Sequence, residues 1–149
     1  MKKLFLFLAA STLALTSCSS DDDEGSSIGG TITVTIDGQA KTFNTVVVNE
    51  EVYDDGYTEL SVTGVIGTST SEIITLIMEK GDLGSGAIYS FNYTKDGVSY
   101  FDSGMSSNVT TNNDSKKLIG NFSGTMSSFS GSGEPINVDF TNGSFNVQY

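Results

Sequence analysis

The side chains in this chain that could do catalytic chemistry are mainly carboxylates, because the sequence contains no His. Two carboxylates on either side of a glycosidic bond can hydrolyse it. The candidates for such a pair are Glu50, Glu51, Asp54, Asp55, Asp96 and Asp102. A Ser nucleophile would need a Lys base, since the usual base near neutral pH is missing. The acids are scattered through segments with loop composition, where solvated charges are expected. We therefore predict no enzyme, with carboxylate-dependent glycan hydrolysis as a distant alternative.

Acid and amide side chains in loops are also the ligands that calcium prefers. Asn112-Asn113-Asp114 and Asp54-Asp55-Gly56 are fragments of this kind. Neither has the ordered Asp-x-Asp-x-Asp-Gly spacing of a calcium loop, so we predict no metal site and no cofactor. The formal net charge of −11 argues against nucleic acid as a partner, because phosphates require a basic surface.

One segment has the composition of a ligand-contacting loop. Val52-Tyr53-Asp54-Asp55-Gly56-Tyr57 places two Tyr residues around two acids and a Gly. Aromatic rings are normally buried in the core, but a Tyr in a loop presents a polar hydroxyl next to a flat apolar face. We predict that Tyr53, Asp54, Asp55 and Tyr57 contact a glycan or a partner protein, provided that the two rings are not buried.

Cys18 is the single cysteine, so it cannot form an internal disulfide. It follows Lys2-Lys3 and an apolar run that is shorter than the roughly 20 residues that span a bilayer. The run ends Leu15-Thr16-Ser17-Cys18, which resembles the lipobox of bacterial lipoproteins. The resemblance implies that residues 1–17 are a signal peptide, that diacylglycerol is attached to the Cys18 thiol, and that a further acyl chain such as palmitate caps the new amino terminus. Several chains are what stable membrane anchoring needs.

The segment after Cys18 is acidic and polar, and we interpret residues 18–30 as a flexible tether. Its first residues are Ser19, Ser20, Asp21, Asp22, Asp23 and Glu24. An acidic cluster at this place resembles the signal that exports lipoproteins of Bacteroidota to the outer face of the outer membrane. The resemblance implies a lipid-anchored protein at the cell surface. An anchor that faces the periplasm is the alternative.

Residues 31–149 have the alternation of β-strands. Ile32, Val34 and Ile36 share one face before a turn at Asp37-Gly38. A two-residue turn there would place Val34 opposite Lys41, so a bulge or a longer loop is the alternative. Ile73–Met78 is apolar on both faces and predicts the most buried strand. Tyr89, Phe91 and Tyr93 are expected on one face. Where Gly120 and Gly124 alternate with large residues, rings from a facing layer are expected to lie close to the backbone.

The carboxyl-terminal segment predicts a hairpin. Asn142-Gly143 is a favoured two-residue turn, and it would place Phe140 opposite Phe145, Val138 opposite Val147 and Ile136 opposite Tyr149. No window has helical spacing. We therefore predict an all-β fold, namely one antiparallel β-sandwich of immunoglobulin-like size with about eight strands.

Several short motifs of the domain are similar to those of small β-sandwich lipoproteins of Bacteroidota that are classed as domains of unknown function. These motifs are Ile36-Asp37-Gly38, Gly86-Ala87-Ile88-Tyr89, residues 119–125 and residues 141–147. The resemblance implies a fold and a location and carries no activity. We predict a non-catalytic domain that binds or presents a glycan or protein partner outside the cell. The alternative is a structural or accessory subunit of an outer-membrane complex.

Overall fold

The computed structural model describes residues 29–128 and 133–149, which form eleven strands and no helix. The strands are β1 (Gly30–Ile36), β2 (Gln39–Phe43), β3 (Thr45–Val52), β4 (Thr58–Ile66), β5 (Ser69–Glu79), β6 (Gly84–Ser85), β7 (Ile88–Lys95), β8 (Val98–Asp102), β9 (Ser106–Asn113), β10 (Lys117–Ser128) and β11 (Ile136–Gln148). The predicted signal peptide, Cys18 and the acidic cluster lie outside the described residues. Within them, no helix is long and apolar enough to cross a membrane.

The strands form one continuous antiparallel sheet, in the order β2-β1-β11-β10-β8-β7-β5-β4-β3. β9 is added to β10, and β6 is added to β9. The predicted all-β antiparallel class is confirmed. The division into a two-sheet sandwich and the number of about eight strands are not confirmed, because hydrogen bonding runs through a single sheet of eleven strands in the described part of the chain.

The sheet is nearly closed because its two end strands follow one another in the chain. β2 and β3 are separated by Asn44 alone, yet β2 pairs with β1 and β3 pairs with β4. Asn44 Oδ1 accepts a hydrogen bond from the Gly67 amide (2.7 Å), and Thr45 Oγ1 donates to the Gly67 carbonyl (2.6 Å). These bonds fix the corner at which the chain passes from one end of the sheet to the other.

The inner face of this curled sheet holds one hydrophobic core. Ile32, Val34 and Ile36 are all buried, which confirms the alternation predicted for β1. In β5, Ile74, Leu76 and Met78 are buried and the residues between them are half-buried, as expected of a strand that is apolar on both faces. Burial of each such side chain contributes about 1.5–3 kcal/mol to folding.

A carboxylate, Glu72, is buried in this core and is only 9% exposed. Tyr93 Oη donates to Glu72 Oε1 (2.5 Å), and Lys41 Nζ lies 3.1 Å from Glu72 Oε2. Burial, and then the hydrogen bond to Glu72, raise the pKa of Tyr93. The two-residue turn at Asp37-Gly38 does place Lys41 opposite Val34. This placement is tolerated because the Lys41 ammonium neutralises the buried charge.

The predicted hairpin at Asn142-Gly143 is wrong, because β11 runs through both residues as one strand between β1 and β10. Asn142 has the positive φ of a turn (53°), but the residues around it form a bulge in the sheet. Before the bulge, the side chains at even positions are buried, namely Val138 and Phe140. After it, those at odd positions are buried, namely Phe145, Val147 and Tyr149. Ile136, which the hairpin would have paired with Tyr149, is 53% exposed.

The glycines of β10 allow two kinds of close approach. A Cβ on Gly120 would lie 2.4 Å from Cζ of Phe145, so a ring does cover this position, as predicted. Phe145 is the cross-strand partner of Gly120 on β11, and it does not belong to a facing layer. At Gly124 the neighbour is backbone, namely the loop between β8 and β9, and no ring is involved.

Candidate functional site

The loop between β3 and β4 is a compact turn that holds Tyr53, Asp54, Asp55 and Tyr57. The Tyr53 amide donates to the Tyr57 carbonyl (2.8 Å), and the Gly56 amide donates to the Tyr53 carbonyl (2.9 Å). Gly56 has a φ of 88°, a backbone conformation that a residue with a side chain rarely adopts. Asp55 Oδ1 accepts from the Tyr57 amide (3.1 Å), so this carboxylate holds the turn together.

The two rings of this turn lie side by side near solvent. Tyr53 is 41% exposed, and Tyr57 is half-buried. Their centroids are 5.4 Å apart and their planes are tilted by 55°. Such an arrangement gives two ring faces with different directions, within the separation at which aromatic pairs stabilise each other. Neither ring belongs to the core, so both are available to a ligand, and ligand contact itself stays a prediction.

Tyr89 is a third tyrosine of this surface, although it was expected to share the face of Phe91 and Tyr93. The latter two are buried, whereas Tyr89 is 51% exposed. The cause is a β-bulge: Ile77 pairs with Ser90, but the next residue of β5 pairs with Ile88. Tyr89 therefore has no partner on β5 and points to the outer face. We call Tyr53, Tyr57 and Tyr89 the tyrosine surface.

A chain of hydrogen bonds links the tyrosine surface to a carboxylate. Tyr57 Oη donates to Tyr89 Oη (2.7 Å), and Tyr89 Oη donates to Glu59 Oε2 in a short hydrogen bond. Because β5 separates β7 from β4, the Tyr89 side chain must cross β5 to reach Glu59. Burial, and then the hydrogen bond to Glu59, raise the pKa of Tyr89. The chain of hydrogen bonds orients two of the three rings without the help of the core.

Three glutamates lie in a row beside these rings. Glu51 pairs directly with Glu59, and Glu59 pairs directly with Glu79, across β3, β4 and β5. We call these residues the glutamate row. Partial desolvation and the carboxylates of Glu51 and Glu59 raise the pKa of Tyr53. None of the three glutamates takes part in a salt bridge within the described residues.

Three other candidate acids, Glu50, Asp102 and Asp96, have separate structural roles in the described part of the chain. Glu50 points away from its neighbour Glu51 and accepts hydrogen bonds from Lys116 (2.8 Å) and Lys80 (2.6 Å), which hold its pKa below the ordinary range. Asp102 Oδ1 accepts from the amides of Gly104 and Met105, so it caps the loop after β8. Asp96 occupies the predicted turn between β7 and β8.

The fragments that were weighed as calcium ligands have structural contacts of their own. Asn112 is buried, and its amide donates to the carbonyls of Glu79 (2.8 Å) and Asp82 (3.2 Å). Asn113 Oδ1 accepts from the Lys117 amide (3.4 Å) in the turn before β10. Among residues 29–128 and 133–149, no three His, Cys, Asp or Glu side chains are grouped closely enough to hold a metal ion.

The described part of the chain also has an open pocket of about 340 Å³ between β7 and the segment around β9. Ile88 and Phe91 contribute apolar lining, and Ser107 lies at its wall. The Ser107 hydroxyl is buried with no hydrogen-bond partner, and it has less than 1 Å² of accessible surface. The hydroxyl therefore offers little to a ligand in this pocket, and the tyrosine surface is the better candidate site.

Sequence reasoning identified two rings of this surface and missed Tyr89 and the glutamate row. The loop composition around Tyr53 and Tyr57 was visible locally, whereas the row depends on which strands pair. For Tyr89 the sequence offered one weak signal: Ala87 and Ile88, two apolar residues, interrupt the alternation just before it. No family model matches the chain, and no curated protein or solved structure is significantly similar to it.

Proposed function

We propose that this chain is a lipoprotein of the outer membrane that is anchored by lipid on Cys18, faces outward, and binds a glycan through the tyrosine surface. The proposal gives the β-domain a binding role without catalysis. The anchor rests on the lipobox-like end of the leader and on the acidic cluster that follows Cys18. The binding role rests on one observation, namely three neighbouring tyrosines near solvent, two in the loop between β3 and β4 and one on the outer face of β7.

The geometry of the three rings supports a sugar as the ligand. The C–H face of a sugar ring is apolar and slightly positive, so it packs on the electron-rich face of an aromatic ring. Sugar hydroxyls need hydrogen-bond partners at the same time, and the tyrosine hydroxyls and Glu59 lie next to the rings. Tyr side chains also lose little conformational entropy on binding because they have two rotatable bonds. Apolar and polar contacts are thus available within one small surface.

The binding proposal is tested by titrating the purified full-length chain with tetrasaccharides of glucose, xylose, mannose and glucosamine. The chain has no Trp and six Tyr, three of which form the tyrosine surface, so intrinsic fluorescence reports directly on ligand contact. Tyr53→Ala removes the most accessible loop ring and is expected to weaken binding by about tenfold, the size of one lost stacking contact.

Phe101→Ala is the matched control, because Phe101 is an exposed ring outside the tyrosine surface. Its removal is expected to change the affinity by less than twofold. The glycan proposal fails if no tetrasaccharide in the panel binds, or if Phe101→Ala weakens binding as much as Tyr53→Ala does.

The anchor and its orientation are tested in cells. Cys18→Ala is expected to abolish labelling by a radioactive or clickable fatty acid and to release the protein from the membrane. Protease added to intact cells is expected to cut the native protein. It is expected to spare a variant in which Asp21, Asp22, Asp23 and Glu24 are all changed to Ala. Protection of the native protein from the protease would contradict an outward orientation and favour the periplasmic alternative.

Two other functions make different predictions for the same measurements. An accessory subunit of an outer-membrane complex would co-purify with partner proteins and bind no sugar. A glycan hydrolase would shorten the tetrasaccharides during the titration, and Glu51 and Glu59 would be its first candidates because they are opposite each other on adjacent strands. We favour binding over hydrolysis because Glu59 is engaged by Tyr89 and the row lies on the outer face of the sheet.

A further inference from the structure

The glutamate row places negative charge next to the tyrosine surface. The glutamate row places three carboxylates on adjacent strands, each directly opposite the next. Like charges in this position destabilise a sheet, so the arrangement costs the fold free energy. The described residues form three salt bridges, and all of them neutralise either Glu50 or Glu72. Among residues 29–128 and 133–149, no lysine forms a salt bridge with the carboxylates beside the exposed rings.

The spread of these carboxylates indicates what kind of positive charge would suit them. Adjacent strands are about 4.8 Å apart, so the row extends for about 10 Å from Glu51 to Glu79. Within the described residues, these three carboxylates do not form a group that could hold a single metal ion. A ligand whose positive charges are distributed along its length could place a charge near more than one of these carboxylates.

The rings next to the row favour the same kind of ligand. An ammonium group over the face of a tyrosine is attracted by the quadrupole of the ring, and this attraction adds to that of a nearby carboxylate. Tyr89 touches Glu59 directly, and Tyr53 lies close enough to Glu51 and Glu59 to be affected by their charges. A sugar stacked on these rings would therefore hold an amino substituent near at least one carboxylate.

We infer that the tyrosine surface and the glutamate row together select glycans that carry protonated amino groups, such as oligomers of glucosamine, over neutral and acidic glycans. This inference rests on the proposed glycan-binding function. Acidic glycans are excluded by repulsion from the three carboxylates.

The test compares three tetrasaccharides on the purified full-length chain by isothermal titration calorimetry. They are the glucosamine tetramer, the N-acetylglucosamine tetramer and the galacturonic acid tetramer, whose repeating units are positively charged, neutral and negatively charged, respectively. At pH about 6, below the ordinary pKa of an α-amino group, the glucosamine tetramer is expected to bind about tenfold more tightly than its acetylated form. The galacturonic acid tetramer is expected to bind most weakly. Added salt should narrow these differences.

Two charge variants connect this selectivity to the glutamate row. Glu51→Gln combined with Glu79→Gln is expected to lower the affinity ratio of the two glucosamine-based tetramers from about ten to about two. Asp96→Asn combined with Glu134→Gln removes the same net charge elsewhere and is expected to keep the ratio near ten. Circular dichroism of both variants verifies that they remain folded.

The possible outcomes separate this inference from the function on which it rests. If the acetylated tetramer binds as tightly as the glucosamine tetramer, and Tyr53→Ala weakens both, glycan binding stands and the selectivity is wrong. If the control charge variant lowers the ratio as much as the row variant, the row is not the cause and the inference is overturned. If none of the tetrasaccharides binds, the proposed function fails together with the inference.

Discussion

Tyr89→Ala is expected to weaken glycan binding more than any other single substitution on this surface, by about 30-fold or more, as for the strongest residues of protein interfaces. Tyr89 supplies a ring face, accepts the Tyr57 hydrogen bond and donates to Glu59. Its removal takes away the ring and leaves Tyr57 without the contact that orients it. The cost to folding is small because Tyr89 lies on the outer face, half exposed.

Tyr89→Phe separates the two contributions of this residue in the same titration. It keeps the ring and removes the hydroxyl, so the expected loss is about two- to tenfold, the size of a typical net hydrogen bond. A Tyr89→Ala variant that is folded and binds the tetrasaccharide as the native chain does would contradict the assignment of Tyr89 to the site.

Gly124→Ala is expected to have the largest effect on stability, a loss of about 3–5 kcal/mol in the free energy of unfolding. Gly124 has a φ of 141°, which disfavours any residue with a side chain. A Cβ there would lie 2.2 Å from the Gly104 carbonyl oxygen and 2.6 Å from the Met105 Cα. Backbone cannot move aside as a flexible side chain can, so the loop between β8 and β9 would have to shift.

The measurement is thermal or urea unfolding of the full-length chain, with Gly67→Ala as the control. Gly67 also has a positive φ, of 62°, but no atom lies within 4 Å of the position of its Cβ. The control should therefore lose only about 1–2 kcal/mol, the cost of the left-handed backbone alone. Equal losses in the two variants would show that backbone strain, and not the contact with the loop, limits Gly124.

Local pattern was enough to predict the parts of the fold that depend on one strand or one turn. Ile32, Val34 and Ile36 alternate with polar residues, and each of them is buried. Asp37-Gly38 is a turn because both of its residues adopt positive φ values, which Asp and Gly tolerate better than most residues. The predicted all-β class follows from the sum of such local signals.

The errors arose where a bulge changes which side chains face inward. At Asn142-Gly143, a hairpin and a bulge within one strand both move the buried side chains from even to odd positions, so the alternation alone cannot separate them. The distinction depends on β1 and β10, which pair with β11 on both sides. At Tyr89 the bulge releases a ring that strict alternation would bury.

The candidate site was predictable only to the extent that it lies in one loop. Tyr53 and Tyr57 are four residues apart, and their turn composition marks them out in the sequence. Glu59 meets Tyr89 across 30 residues of chain and an intervening strand. The pairing of β4, β5 and β7 that makes this contact is a tertiary property, and no short window of sequence encodes it.

The position of the start of β1 in the sheet has a mechanical consequence. The Gly29 carbonyl accepts a hydrogen bond from the Gln148 amide (2.9 Å), and the Tyr149 amide donates one to the Lys116 carbonyl (2.9 Å). Because Lys116 also bridges to Glu50, the start of β1 and the end of β3 lie at the same end of the sheet. A pull between the segment before Gly29 and a ligand on Tyr53 would therefore open the β1–β11 hydrogen bonds one after another and would not shear them together. Under tension, β1 is the first strand expected to peel away from the sheet.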